Sequence, residues 1–500
     1  MQRKHTRWGV LCGAGAILAL VAACSFDQLL RVENPDEIPV GSLDDPKLMQ
    51  VQLNGVIDQF QNGYTEPVIE WSNFMTDEVL TGLNWEGHAR VNQRIVSYLE
   101  GPTTEVFEDL SRALRMGHDL SERIRRWDIA DTSARDFRPP LATALVFAGY
   151  SALVLAENMC QCVISPDPDN PSGTILSQLE TFQAALPYLT EALSVAQAAN
   201  RADLANLART GLARAYLGLG DWAQAASYAS QVTPGFKWWL EFVENVGGQN
   251  PMAGTSHGGN FTHGIHPAFT GVHPSFQGTG LLFTDNIPDS IQTDPRIQHE
   301  PTDQTGHNAL TRLYKLRQGL RYSQYTGVTF ADSSAQCPGC TARDSLGNPP
   351  ADTVTIPLLS RFDTDILLAD YVEAQHHYHE ALAMQGGNEA TVLAFVNARR
   401  AVGNQAPVTL SGQALITELR SQRARDLFMG GFRLPDLRRW TRFDPGNGPF
   451  AGGSYFPTGP HPNASWGDYG AWTCFPIPLS EYTGNPNLPP PLDPNVPPGI

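Results

Sequence analysis

The chain is short of positive charge. Its 500 residues carry 34 Lys and Arg against 51 Asp and Glu, a net charge of −17 with histidine neutral. That balance excludes a nucleic-acid partner, which needs a basic footprint, and attachment to an acidic membrane surface by charge alone. Long apolar runs are also scarce. Gly9 to Ala23 is too short to span a bilayer, and no other segment reads as a membrane-crossing helix. Most of the short motifs of chemistry are missing too: there is no SxxK, HExxH, P-loop or dinucleotide fingerprint. Asp77-Glu78 is the obvious carboxylate pair. Neighbours on a helix point apart, so the pair is predicted to lie on a solvated face rather than to act as acid and base. His376 and His379, with His377 between them, share the helical stretch DYVEAQHHYHEAL, and His263, His266 and His273 share a glycine-rich one. Without a carboxylate in a metal-site pattern the helical histidines are expected on the surface. No metal, cofactor or catalytic group is expected, so the reading is not an enzyme.

Disulfides are not excluded. Cys160, Cys162, Cys337, Cys340 and Cys474 lie beyond the N-terminal segment. Cys160-Gln-Cys162 is too tight for an unstrained bridge, whereas Cys337-Pro-Gly-Cys340 can close locally. Bridged or free loop cysteines are preferred over a zinc site, and the pairing stays open.

What is present begins at the N-terminus. Arg3, Lys4 and Arg7 precede the apolar run, which ends Val21-Ala22-Ala23-Cys24 and resembles a bacterial lipobox. Cleavage before Cys24 leaves its thiol for acylation. It also removes three positive charges, so the charge goes from −17 to −20. Residues 1–23 read as a lipoprotein signal peptide and 24–45, with Pro35 and Pro39, as a tether. Residues 46–500 read as a single body. Its helical scaffold covers about 46–232 and 361–440, its loop-rich part about 233–360, and its C-terminal segment 441–500. Within the scaffold, helices are predicted near 47–60, 104–127, 136–163, 176–200, 202–219, 221–232, 361–384 and 389–402. In GLARAYLGLGDWAQAASYASQV, Gly220 ends one helix and Asp221 caps the next. The large-and-small packing of that pair is of tetratricopeptide type.

Ser411 to Trp440 reads as an amphipathic helix with Leu415, Ile416, Leu419 and Leu427 on one face, stopped at Gly430-Gly431. Arg423 falls within the apolar stripe and needs a partner. Asp426 and Asp436 are the nearest carboxylates. Arg423, Leu427, Gly431, Arg433, Asp436, Leu437 and Arg439 resemble the C-terminal signature of the SusD/RagB family. Gln422, Asp426 and Gly430 stand where the family has glutamates. Three further stretches are similar to family phrases. They are the helix pair around Gly220, FVNARRAVG with Asn397 and Arg400, and a terminal phrase with Pro476, Pro478, Glu481, Asn485 and Pro486. The resemblance implies a mostly α, SusD-like fold with degenerate tetratricopeptide-type helix pairs. Arg423, Gly431, Arg433, Asp436, Arg439, Pro476, Pro478 and Glu481 would be structural residues of it. It further implies a lipoprotein of the outer membrane, anchored at Cys24 and facing outward. Such a protein hands an oligosaccharide or other oligomeric nutrient to a SusC-like TonB-dependent transporter. The alternative is a tetratricopeptide-like protein-binding scaffold without glycan binding.

Sugars are held when aromatic faces stack on pyranose C–H faces. Of ten tryptophans, Trp85 and the Trp238-Trp239 pair lie in irregular or glycine-flanked sequence and are the leading ligand candidates, with Trp71 next. Trp8, Trp127, Trp222 and Trp440 are assigned to the signal or to packing.

Overall fold

A computed structural model describes residues 40–81, 85–133, 135–165, 173–243, 250–252, 263–265, 296–301, 314–319 and 365–491. Cys24 and most of the tether, Cys337 and Cys340, His266 and His273, and the proline-rich tail from 492 lie outside the described residues. The chain forms two compact units, 1–48 and 49–500. In the first, two short 3₁₀ turns are described, Val40–Asp44 and Pro46–Leu48. The Asp45 carboxylate accepts the Lys47 amide between them.

The second unit is built on helices. In chain order they are α1 (Met49–Gly63), α2 (Trp71–Phe74), α3 (Glu86–Asn92), α4 (Gly101–Ala130), α5 (Arg138–Asn158), α6 (Gln178–Ala198), α7 (Ala202–Leu219) and α8 (Trp222–Ala229). After the loop-rich part come α9 (Tyr371–Gln385), α10 (Glu389–Val402), α11 (Gly412–Asp426), α12 (Arg433–Phe443) and α13 (Leu479–Gly484). A π-helix, Tyr64–Glu70 with Pro67 inside it, joins α1 to α2. Among the described residues there are also four two-stranded antiparallel ribbons and short 3₁₀ turns at Ala451–Gly453 and Ala464–Trp466. Strand β1 (Val79–Thr81) pairs with β5 (His263–Ile265), and β2 (Gln161–Ile164) with β3 (Thr174–Ser177). Strand β4 (Lys237–Leu240) pairs with β8 (Ile366–Asp370), and β6 (Ile297–Pro301) with β7 (Tyr314–Gly319).

Helix α5 is the centre of the core. It packs against α1, α4, α6 and α7, and from Ala144 to Asn158 every residue is buried. A helix apolar around its whole circumference belongs either in a core or in a bilayer. This one is long and apolar enough to cross a membrane, which corrects the expectation that no such segment follows the N-terminal run. Its burial among neighbouring helices makes it a core element. Gly149 permits the contact with α6, since a Cβ there would sit 2.6 Å from Leu189 Cγ.

The helix starts and stops follow local chemistry. Ser177 and Glu180 form a reciprocal capping box at α6. Gly220 ends α7 at φ 76°, and Asp221 caps α8 by accepting the Gln224 amide at 3.1 Å, as read from the sequence. Trp222 packs edge-on against Phe443, ring centres 5.2 Å apart. Two predicted helices are shorter than expected. The one near 136–163 stops at Asn158 because Gln161–Ile164 enters a ribbon with β3. The one near 361–384 begins only at Tyr371, because the buried run Ile366–Asp370 pairs with β4.

Candidate ligand-binding face and the buried ionic clamp

The four tryptophans singled out for ligand contact end in different places. Trp71 is a correction: it is 5% exposed in the core, and its indole N–H donates to Glu105 Oε2 at 2.8 Å. Its apolar neighbours bury the face that stacking would need. Trp238 is half-buried and leans edge-on against Phe147, ring centres 6.2 Å apart. Trp239, beside it on β4, is half-buried with the Lys237 ammonium 5.8 Å from its ring centre. Trp85 is the open one, at 64% exposure. It sits at the N-cap of α3 in extended backbone, with β1 shortly before it in the chain.

That corner is tied to the scaffold beneath it. Asn92, buried in α3, donates to the carbonyls of Phe74 (2.8 Å) and Val79 (3.2 Å) and accepts the Thr81 amide (3.1 Å). His88 lies between Trp85 and Trp71, and its Nε2 is 3.3 Å from Glu70 Oε1. Arg90 pairs with Glu100 at the start of α4. An exposed indole on so braced a support can stack on a sugar ring. Among the described residues no group of three or more His, Cys, Asp or Glu side chains is arranged to hold a metal ion.

The signature stretch does something else. Helix α11 stops at Asp426, before the glycine pair, and Leu427, Met429 (φ 57°) and Gly431 (φ 76°) make the turn into α12. Arg423 Nε donates to Asp436 Oδ2 at 2.7 Å. Arg439 Nη2 donates to the other Asp436 oxygen at 2.9 Å and to Glu380 Oε2 at 2.8 Å. The Trp440 indole N–H donates to Glu380 Oε1 at 2.7 Å. Asp426 takes a forked pair of bonds from Arg399 at 2.6 and 2.7 Å, lies 2.7 Å from His376 Nε2, and also accepts from Arg296. Arg433 forks onto Asp77 at 2.6 and 2.7 Å. All of these groups are buried except Arg399, which is partly buried. Arg423, Arg433, Asp436 and Arg439 thus form an internal clamp.

Two sequence expectations are overturned here. Asp77 and Glu78 are not on a solvated face; both are fully buried. His376, His377 and His379 are not on a helix surface either, because α9 is sunk between the arginines of α11 and α12. His377 lies 3.2 Å from Glu373 and 3.3 Å from Arg423 Nη1. Apart from Glu373, four residues before His377, the partners lie tens to hundreds of residues away, so local periodicity could not reveal them. A helix that carries Glu373 and Glu380 with no Lys or Arg of its own was the available signal.

Burial and charge set the titration of the clamp. Burial pushes the Asp436 carboxyl up, but Arg423 and Arg439 outweigh it and hold the group well below the usual carboxylate range. Asp426 is depressed in the same way by His376 and Arg399. Burial pushes His377 well down, and Arg423 and Arg439 add to that. Glu78 is pushed well up by burial, which Arg433 only partly offsets. Arg438 is pushed down to about 9, mainly by burial and then by Arg442, with Glu157 opposing. It donates to the carbonyls of Glu157 (2.6 Å) and Met159 (2.9 Å), capping the end of α5.

The C-terminal phrase is held by one disulfide, Cys160–Cys474, which settles part of the open pairing. Cys162 is free and buried. Phe475 bridges to Met159 in parallel register, and Asn485 donates to the Gly173 carbonyl at 2.8 Å. Asn397 exchanges two bonds with Val408, and Arg400 donates to the Ala406 carbonyl, so both are structural.

No family model matches the chain, and no curated protein matches it. Solved structures do. A SusD superfamily protein from Bacteroides vulgatus superposes with TM-score 0.60 at 15% identity, over 89% of this chain and 98% of its own. A SusD-like carbohydrate-binding protein from Bacteroides fragilis gives 0.58 at 14%, over 89% and 99%. A SusD superfamily protein from Bacteroides thetaiotaomicron gives 0.58 at 14%, over 89% and 98%. This chain has the mostly α-helical SusD-like fold.

Proposed function

We propose that the protein is a surface lipoprotein that binds an oligosaccharide, or another oligomeric nutrient, and passes it to a SusC-like TonB-dependent transporter in the outer membrane. The observation that carries this reading is the SusD-like fold, shared along almost the whole length of a neighbour described as carbohydrate-binding. The lipobox-like end at Cys24 supports the anchor, and the exposed, braced indole of Trp85 supports a sugar platform. Trp239 is the second candidate contact. The protein captures and delivers; it carries out no reaction and needs no cofactor.

Binding of the mature chain to maltohexaose, cellohexaose, xylohexaose and chitohexaose, measured by calorimetry beside a peptide panel, tests the ligand class. A central aromatic anchor dominates such contacts, so Trp85→Ala should weaken the tightest of these by roughly tenfold or more. Binding that survives alanine at Trp85, Trp238 and Trp239 together would favour the protein-binding scaffold. Separately, Cys24→Ala should move the protein out of the membrane fraction, since acyl chains supply the attachment. Unchanged retention would count against the anchor.

A further inference from the structure

Trp85 caps α3 by position only; its side chain makes no capping hydrogen bond. A tryptophan this exposed at an element's edge would ordinarily sample several rotamers, and ordering it on binding costs affinity. Here the ring has a neighbour. His88, in the first turn of α3 three residues on, sets its imidazole edge-on to the indole. The ring centres are 5.3 Å apart and the planes 78° from parallel. The imidazole is itself fixed by three further groups. Trp71 lies 4.5 Å away and Phe74 5.8 Å, centre to centre, and Glu70 Oε1 lies 3.3 Å from Nε2. Trp71 in turn donates to Glu105 of α4. An unbroken line of contact runs from the longest scaffold helix through Trp71 and His88 to the exposed indole.

We propose that His88 is a positioning residue for ligand: its ring holds the Trp85 indole in the orientation on which a sugar stacks, so that binding does not have to order it. The proposal rests on Trp85 being the platform. It assigns the positioning to the ring of His88 and not to its contact with Glu70, and these separate by substitution. His88→Phe keeps an aromatic edge and gives up the Glu70 contact. His88→Gln keeps a donor for Glu70 and gives up the ring, and His88→Leu gives up both.

The test uses the mature full-length chain labelled with 5-fluorotryptophan, with the Trp85 signal identified as the ¹⁹F resonance missing in Trp85→Phe. In His88→Phe the transverse relaxation of that resonance should match the unsubstituted protein, and affinity for the tightest-binding hexaose should stay within about twofold. In His88→Gln and His88→Leu the resonance should relax more slowly, as a freer ring does, and affinity should fall roughly three- to tenfold. A Trp85 resonance equally ordered in all three variants would overturn the proposal, and so would one loosened as much by Phe as by Gln. Trp85→Ala separates the two claims. If it abolishes binding while His88→Gln and His88→Leu bind normally, only the positioning role is lost. If it leaves binding unchanged, the platform reading fails and takes the role of His88 with it.

Discussion

Asp436→Ala is expected to destabilise the second unit by about 3–5 kcal/mol, the usual cost of removing one partner from a buried ion pair. Arg423 and Arg439 both bond this carboxylate and are almost fully buried. Without it they keep Glu380, which lies 3.9 Å from Arg423 and already takes bonds from Arg439 and Trp440. Two buried guanidinium groups would then share one carboxylate. Thermal unfolding of the purified variant, and its abundance at the cell surface, measure the loss. An intact fold with selective loss of glycan binding would show instead that Asp436 belongs to the ligand site. The same network makes acid destabilising. Asp426, Asp436 and Glu380 titrate below their unfolded values. Their stabilisation is present above about pH 4 and disappears as pH falls through the folded values. His376 and His377 are depressed by burial, so the unfolded chain takes up protons first as pH drops below about 6.5. Glu78 and Glu157, raised by burial, act in the opposite sense and offset part of that loss.

Cys474→Ser should cost a further large amount, about 2–5 kcal/mol, the range for loss of a native disulfide. The Cys160–Cys474 bond closes a separation of 314 residues, and long closures restrict the unfolded chain most. It fastens the terminal phrase to the end of α5, where the Cys160 amide donates to the Phe475 carbonyl at 2.8 Å and the Phe475 amide to Asn158 at 2.9 Å. Dithiothreitol should lower the unfolding temperature of the unsubstituted protein and leave that of the variant unchanged. An identical melting curve for Cys474→Ser would show that these backbone bonds suffice alone. Cys162→Ala is the matched control. Burial pushes the Cys162 thiol up, away from the thiolate that exchange requires.

Both predictions concern residues whose types were legible and whose partners were not. Arg423 declared its need for a carboxylate by lying in an apolar stripe, and Asp436, one of two carboxylates nearby, is the one it bonds. Asp77 gave no such sign. Its guanidinium comes from Arg433, 356 residues on, and nothing local separates a buried acidic pair from a solvated one. Trp71 and Trp85 illustrate the same limit for aromatics. Both sit in one aromatic stretch, yet Trp71 is covered by the core beside α4, while Trp85 starts a short helix at the surface.

The sequence by itself determined most of the long helices, their order, and the stop and cap at Gly220 and Asp221. Capping and periodicity are interactions over three or four residues, and the signals at Ser177, Gly220 and Asp221 lie beside the elements they bound. Motif order was enough to point to the SusD-like fold. The tertiary structure alone decided which of the chain's charges are buried, which two cysteines join, and which tryptophan faces out. Each of those is set by packing between segments tens to hundreds of residues apart.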